Sequence, residues 1–195
     1  MAHIGMKYPV AAKWAEGNVY SEGFVVAKAI NFTGTPNKND VDLYADDGVA
    51  ETDKSMKDWG TSLSVDDLSL ENQAKLLGHT YIEAVAGSGD NDGTPESIEM
   101  GTEDEAPFFG MGFYKRRKKN GVVSFTTIWL YKVQNSEPTE SAETKGDTTN
   151  FQIATIEGKA YPVEVNGKMS MGKKLVFSTE AEAKAWLNKQ AGITE

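Results

Sequence analysis

Gly167-Lys-Met-Ser-Met-Gly172-Lys173 has the glycine and lysine spacing of a phosphate-cradling loop, whose backbone amides wrap a phosphate ahead of a helix. Lys174 stands where a Ser or Thr must ligate magnesium, and Leu175-Val176-Phe177 reads as strand, so the nucleotide chemistry is not completed. Gly110 and Gly112 begin a dinucleotide pattern, but Lys115 takes the third glycine's place. Ser88, Asp90, Asp92, Gly93 and Glu99 fall at positions 1, 3, 5, 6 and 12 of a calcium loop, which needs hard oxygens around a sharp glycine turn. Ser at the first position, the internal Pro95 and a glycine-rich approach depart from that motif, and a solvated acidic loop is the plainer reading. His79 follows Gly78 and reads as a helix-end residue favoured by the dipole. The other imidazole is His3, and no triad partner is evident in the sequence.

Charge supplies the remaining signals. Lys115, Arg116, Arg117, Lys118 and Lys119 form a basic run, whereas the stretch from Glu83 to Glu105 carries many acids and no Lys or Arg. The 195-residue chain holds 20 Lys and Arg against 29 Asp and Glu, a formal charge of -9, which argues against ordinary duplex-DNA binding. In so acidic a protein the basic run is expected to pair with another subunit's acidic loop. Cysteine is absent, which excludes disulfides, thiolate metal sites and thiol nucleophiles. No cofactor or metal site is expected. Nothing from Met1 to Trp14 resembles a signal-peptide core, and no segment approaches the ~20 apolar residues of a membrane helix.

The elements that must position these residues are mainly strands. Residues 18–34 are β-branched and aromatic and end at Gly34-Thr35-Pro36. Residues 37–58 are acidic, too polar for a core strand and too long for a hairpin turn, and read as a long excursion with Val41, Leu43, Tyr44 and Val49 embedded in it. Residues 59–65 alternate as a half-buried strand does. Ser69 caps a short helix through Leu77 that ends at Gly78, and Thr179 with Glu182 forms a capping box for a helix from Glu180 to Ala191. Residues 108–116 and 122–133 flank Asn120-Gly121, a strong hairpin signal. In the second arm Val123, Phe125, Thr127, Trp129, Tyr131 and Val133 are expected on one face, with Val122, Ile128 and Leu130 on the other. Apolar character on both faces indicates a central strand or one covered by a partner. Residues 135–149 read as a polar loop, and 150–163 and 173–177 as further strands.

In this order, Ile4 to Val10, Glu22 to Ile30, Leu43 to Asp47, Val65 to Leu68, Lys75 to His79, Ala106 to Lys119, Lys132-Val133, Thr144 to Gly146 and Ala183 to Leu187 resemble the major tail protein, the tail tube subunit, of long-tailed non-contractile bacteriophages. Asn135 departs from the pattern, where an apolar residue is expected. The resemblance covers almost the whole chain. It implies a β-sandwich or partly closed barrel of two packed antiparallel sheets with a flanking helix. It also implies a single domain with an N-terminal arm of about residues 1–17, hexameric rings stacked as a tube, and no catalysis. The family's stacking loop corresponds to residues 37–58, which places the inter-ring contact at Asp40, Val41, Leu43, Tyr44, Asp46, Asp47 and Val49, with the arm and the 135–149 loop as secondary contacts. The implied partners are further copies of the chain, a tape measure protein, and tail terminator and baseplate proteins. DNA would pass through the lumen without specific binding, and the tail would be assembled in a bacterial cytoplasm. The competing expectation is a monomeric calcium- or carbohydrate-binding β-sandwich that uses the Asp90 to Glu99 loop.

Overall fold

The computed structural model describes residues 2–45, 48–87, 92–138 and 153–194; side chains are described from residue 5 onward. The strands are β1 (Ala2–Ala15), β2 (Val19–Val25), β3 (Ala29–Lys38), β4 (Val41–Ala45), β5 (Gly48–Asp53) and β6 (Met56–Val65), followed by helix α1 (Leu70–Leu77). Next come β7 (Thr80–Ile82), β8 (Ser97–Glu99), β9 (Phe108–Lys119), β10 (Val122–Ser136), β11 (Ala154–Ala160), β12 (Val163–Val165), β13 (Lys168–Ser170) and β14 (Gly172–Phe177). Helix α2 (Glu180–Ala191) closes the order. The described residues are mainly β, with antiparallel pairing and two helices.

Eight strands join in one sheet of order β2-β1-β9-β10-β11-β6-β3, with β14 also paired to β10. The two packed layers expected of a sandwich or partly closed barrel are parts of one continuous sheet that folds over itself. In a flat sheet β9 and β3 would stand about 19 Å apart, at ~4.8 Å per strand, yet the Phe32 and Phe113 rings lie 4.6 Å apart. The two edges also approach each other, because β2 and β3 lie at opposite edges and only Val26–Lys28 connects them. The expected single strand over residues 18–34 is therefore two strands with a crossing between the edges. Val26 N–H donates to the Pro9 carbonyl, and the Asp66 N–H donates to the Lys28 carbonyl, which fastens that crossing on both sides.

Two apolar clusters follow from the two faces of the sheet. The concave cluster contains Val26, Leu63, Val65, Leu76, Leu77, Phe109, Phe113, Ile128, Leu130, Val133 and Ile156, so α1 contributes to it. On the convex side Val10, Ala12, Tyr114, Phe125 and Trp129 receive Ala183, Leu187 and Ala191 of α2. Both faces of β10 are thus covered within the chain, and its apolar character needs no partner subunit. Val133 lies in the concave cluster, not with Trp129. Its register explains the change: Leu130 pairs with Met111 but Val133 pairs with Phe109, so an extra residue in β10 reverses the alternation beyond it.

Local signals explain the helices and the main turn. Ser69 accepts a hydrogen bond from the Asn72 N–H, and Gly78 closes α1 in the left-handed conformation. Thr179 and Glu182 cap each other's backbone at the start of α2. Asn120 and Gly121 both adopt positive φ between β9 and β10, as a two-residue hairpin requires.

The expected excursion over residues 37–58 is also strand. β3 pairs with β6 as far as Lys38 and Met56, and β4 pairs with β5 beyond it. Asn39 joins the two ladders: its N–H donates to the Ser55 carbonyl and its Nδ2 donates to the Asp53 carboxylate. The segment expected as an N-terminal arm is β1, held by β9 on one side and by β2 on the other. Most of the 135–149 loop lies outside the described residues, while residues 135 and 136 complete β10.

Candidate functional site

Val41, Leu43 and Tyr44 on β4 and Val49 on β5 are all exposed, from 53% to 68% of their full area. Alternation puts Val41 and Leu43 on one side of the hairpin, and Tyr44, paired directly with Val49, is turned from Leu43 to the other. Asp40 is exposed beside them, whereas Asp46 and Asp47 lie outside the described residues. Both sides of a polar two-stranded ribbon therefore present apolar side chains to solvent. Grouped exposure of this kind marks a contact surface more than an isolated apolar residue does. At the base, Asp53 accepts from the Ser55 N–H at 2.9 Å, and its hydrogen bonds from Ser55 hold its carboxyl below the ordinary carboxylate range. The hairpin is thus fixed where it leaves the sheet and apolar where it ends.

The basic run divides. Lys115 to Lys119 occupy the end of β9, and because side chains alternate along a strand the five cannot form one patch. Among the described residues none of the five makes an ion pair.

The glycine motifs and the acidic loop serve the fold. Gly167 lies in the turn between β12 and β13 and Gly172 begins β14, so no helix follows to receive a phosphate. Gly110 and Gly112 form a trough on β9 for an indole. A Cβ at Gly112 would stand 2.5 Å from Trp129 Cε3 and 2.8 Å from Leu187 Cδ2, and one at Gly110 would stand 2.5 Å from Trp129 Cζ2. The Tyr20 ring meets Trp129 edge-on at 5.1 Å, and its hydroxyl donates to the Tyr131 carbonyl. Burial pushes the Tyr20 hydroxyl up to about 12. Of the calcium-loop positions, Ser88 and Asp90 lie outside the described residues, and Glu99 belongs to the short β7–β8 ladder. Among the described residues no group of three His, Asp or Glu side chains is placed to hold a metal ion.

His79 has partners that its sequence context did not reveal. Its side chain is 2% exposed; Nδ1 lies 2.8 Å from Asp104 Oδ2, and Nε2 lies 2.8 Å from Glu137 Oε1. Asp104 is hydrogen-bonded to Nδ1, whereas Glu137 stands beside Nε2 without a hydrogen bond to it, so the imidazole lies between two acidic segments. The hydrogen bond from His79 holds the Asp104 carboxyl below its ordinary value.

A scan against protein-family models finds no match, and a search of curated proteins finds none.

Tyr114 and Glu180, which no motif singled out, fix α2 to the sheet. Tyr114 is 1% exposed and its hydroxyl donates to Glu180 Oε1. Burial and the neighbouring carboxylate push the Tyr114 hydroxyl up, while that hydrogen bond draws the Glu180 carboxyl down. The two shifts have the signs expected of a neutral phenol donating to a charged carboxylate. A Tyr on β9 and an acid in the first turn of α2 are separated in sequence, so only the topology brings them together.

Proposed function

We propose that this chain is a tail tube subunit, which self-assembles into hexameric rings stacked as a conduit for a viral genome. The observation that carries the reading is the β4–β5 hairpin, whose Val41, Leu43, Tyr44 and Val49 are exposed on both sides with no cover from the described residues of their own chain. The ordered resemblance to tail tube subunits supports it, and so does a curled sheet whose free edges suit lateral pairing between copies. In this reading the hairpin reaches the neighbouring ring and buries its apolar side chains there. The net charge of -9 suits a channel that must let DNA slide without binding it. The tape measure protein would occupy the lumen during assembly, with tail terminator and baseplate proteins at the ends, and the finished tail would belong to the virion.

Electron microscopy of the purified chain tests this reading directly. Rings or tubes about 100 Å wide are expected, the size of six small domains placed around a pore. Leu43→Asp with Tyr44→Asp should give a folded subunit that forms no tubes. A chain that stays monomeric at high concentration and binds calcium or a sugar overturns the proposal.

A further inference from the structure

The cations at the end of the β9–β10 hairpin belong to two faces. Arg116 and Lys118 stand with Tyr114 and, across the ladder, with Phe125 and Val123, on the side covered by α2. Lys115, Arg117 and Lys119 alternate with them and stand with Phe113 on the concave side, where Lys115 Nζ lies 5.5 Å from the Phe113 ring centre. Thr126 pairs with Lys115 and shares this face. β14 adds Lys174, which pairs with Ile128 and whose Nζ lies 5.7 Å from the Trp59 ring centre.

What this face lacks is acceptors. Arg117 Nε, Trp59 Nε1 and Thr126 Oγ1 are all buried without a hydrogen-bond partner among the described residues. Lys115, Arg117 and Lys174 make no ion pair among those residues. Unsatisfied buried polar atoms are costly and uncommon, and these are three of the six among the described residues, the others being His79 Nε2, Trp129 Nε1 and Asn135 Nδ2. The three atoms on this face are closed off by their own subunit, but Lys174 is exposed and Lys115 and Arg117 are partly exposed, so their side chains are open to a second molecule's oxygen acceptors.

The chain carries a matching surface. Glu99, Glu103 and Glu105 are exposed and make no ion pair among the described residues. They precede β9, whereas the cations end it. Lys115 and Arg117 stand seven and nine residues beyond Phe108, about 23 and 30 Å at ~3.3 Å per residue, Lys174 stands at the register of Phe113, and no ion pair joins these cations to those acids among the described residues. We propose that the concave face formed by Lys115, Arg117 and Lys174, with Trp59 and Thr126, receives the carboxylates of the Glu99 to Glu105 segment from a second copy of this chain. The inference rests on the self-assembly reading above and specifies a different contact within it. Because two unlike patches meet, the contact is heterologous and propagates from copy to copy around a ring, separate from the hairpin contact between rings.

Charge reversal tests the assignment on the full chain. Lys115→Glu with Arg117→Glu should weaken self-association at low salt, measured by sedimentation velocity, by about tenfold or more. Arg116→Glu with Lys118→Glu makes the same charge change on the other face and should shift it less than about twofold. Mixing the Lys115→Glu, Arg117→Glu variant with a Glu99→Lys, Glu103→Lys, Glu105→Lys variant should restore association, a rescue that misfolded subunits cannot give. Equal effects of the two reversals, failure of the mixed pair, or preferential binding of a duplex DNA fragment by the wild type overturns the proposal. Normal tubes from Lys115→Glu, Arg117→Glu would remove this contact and leave the tube reading intact. Salt-sensitive, face-specific association without any rings or tubes would leave the contact and remove the tube reading. A wild-type chain that stays monomeric at low salt removes both.

Discussion

The β9–β10 and β4–β5 hairpins are both antiparallel pairs rich in charged residues near their tips, but they dispose of their apolar side chains in opposite ways. β10 has Trp129 and Val133 at 0% exposure, with α2 on one side and the folded-over sheet on the other. β4 and β5 have no fully buried residue among those described. The same local geometry is therefore a core in one place and a presented surface in the other, and the difference lies in what each ribbon is packed against. Burial of β10 stabilises the subunit itself, whereas exposure of β4 and β5 stores apolar area that only another molecule can remove from water.

The comparison predicts a graded series of substitutions. Trp129→Ala should cost about 3–5 kcal/mol in urea denaturation, because the indole fills the trough over Gly110 and Gly112; a loss below ~1 kcal/mol would mean that this ribbon is not the core. Gly112→Ala should follow at roughly 1–3 kcal/mol, since the new methyl has to displace Trp129 or Leu187. Tyr114→Phe should cost about 1 kcal/mol by removing the hydrogen bond to Glu180. That variant has a pH signature as well. The Glu180 carboxyl is drawn below its ordinary value in the folded chain, so its contribution is present above the unfolded value and lost as acid carries the pH down through the folded one. Wild type should therefore lose more stability than Tyr114→Phe across that acid range, and parallel curves would detach Glu180 from Tyr114. Smallest of all, Leu43→Asp with Tyr44→Asp should shift unfolding of the isolated subunit by less than about 0.5 kcal/mol. A large destabilisation there would show that the exposed hairpin belongs to the subunit's own core after all.

Signals that act within a few residues were legible in the sequence: the Ser69 and Thr179 caps, the Gly78 stop and the Asn120-Gly121 turn all lie where their chemistry directs. The β4–β5 ribbon was not legible as strand, because a ribbon with solvent on both sides has no buried face to impose an alternating pattern. Val133 was assigned to the wrong face because the extra residue after Leu130 is set by pairing with β9, which leaves no mark on β10's own sequence. Gly110 and Gly112 looked like fragments of a nucleotide motif; their cause is an indole on the next strand. The carboxylates at His79 come from segments far along the chain, so proximity there had no sequence signal. For the candidate surface, Leu43 and Tyr44 were visible as apolar residues among acids. Trp59, Thr126 and Lys174 were not, since only the cross-strand registers collect them beside Lys115 and Arg117.

The three residues Val26–Lys28 act as a buckle on the curled sheet. Both edge strands are tied to it covalently, and Asn72 of α1 reinforces it by donating to the Val25 and Val26 carbonyls. The girth of the sheet is then limited by a fixed length of chain as well as by the packing of the concave cluster. A lengthened buckle would relax that limit while leaving every strand pair in place, so an upper bound on the spacing of the subunit's two rims is written into the polypeptide itself.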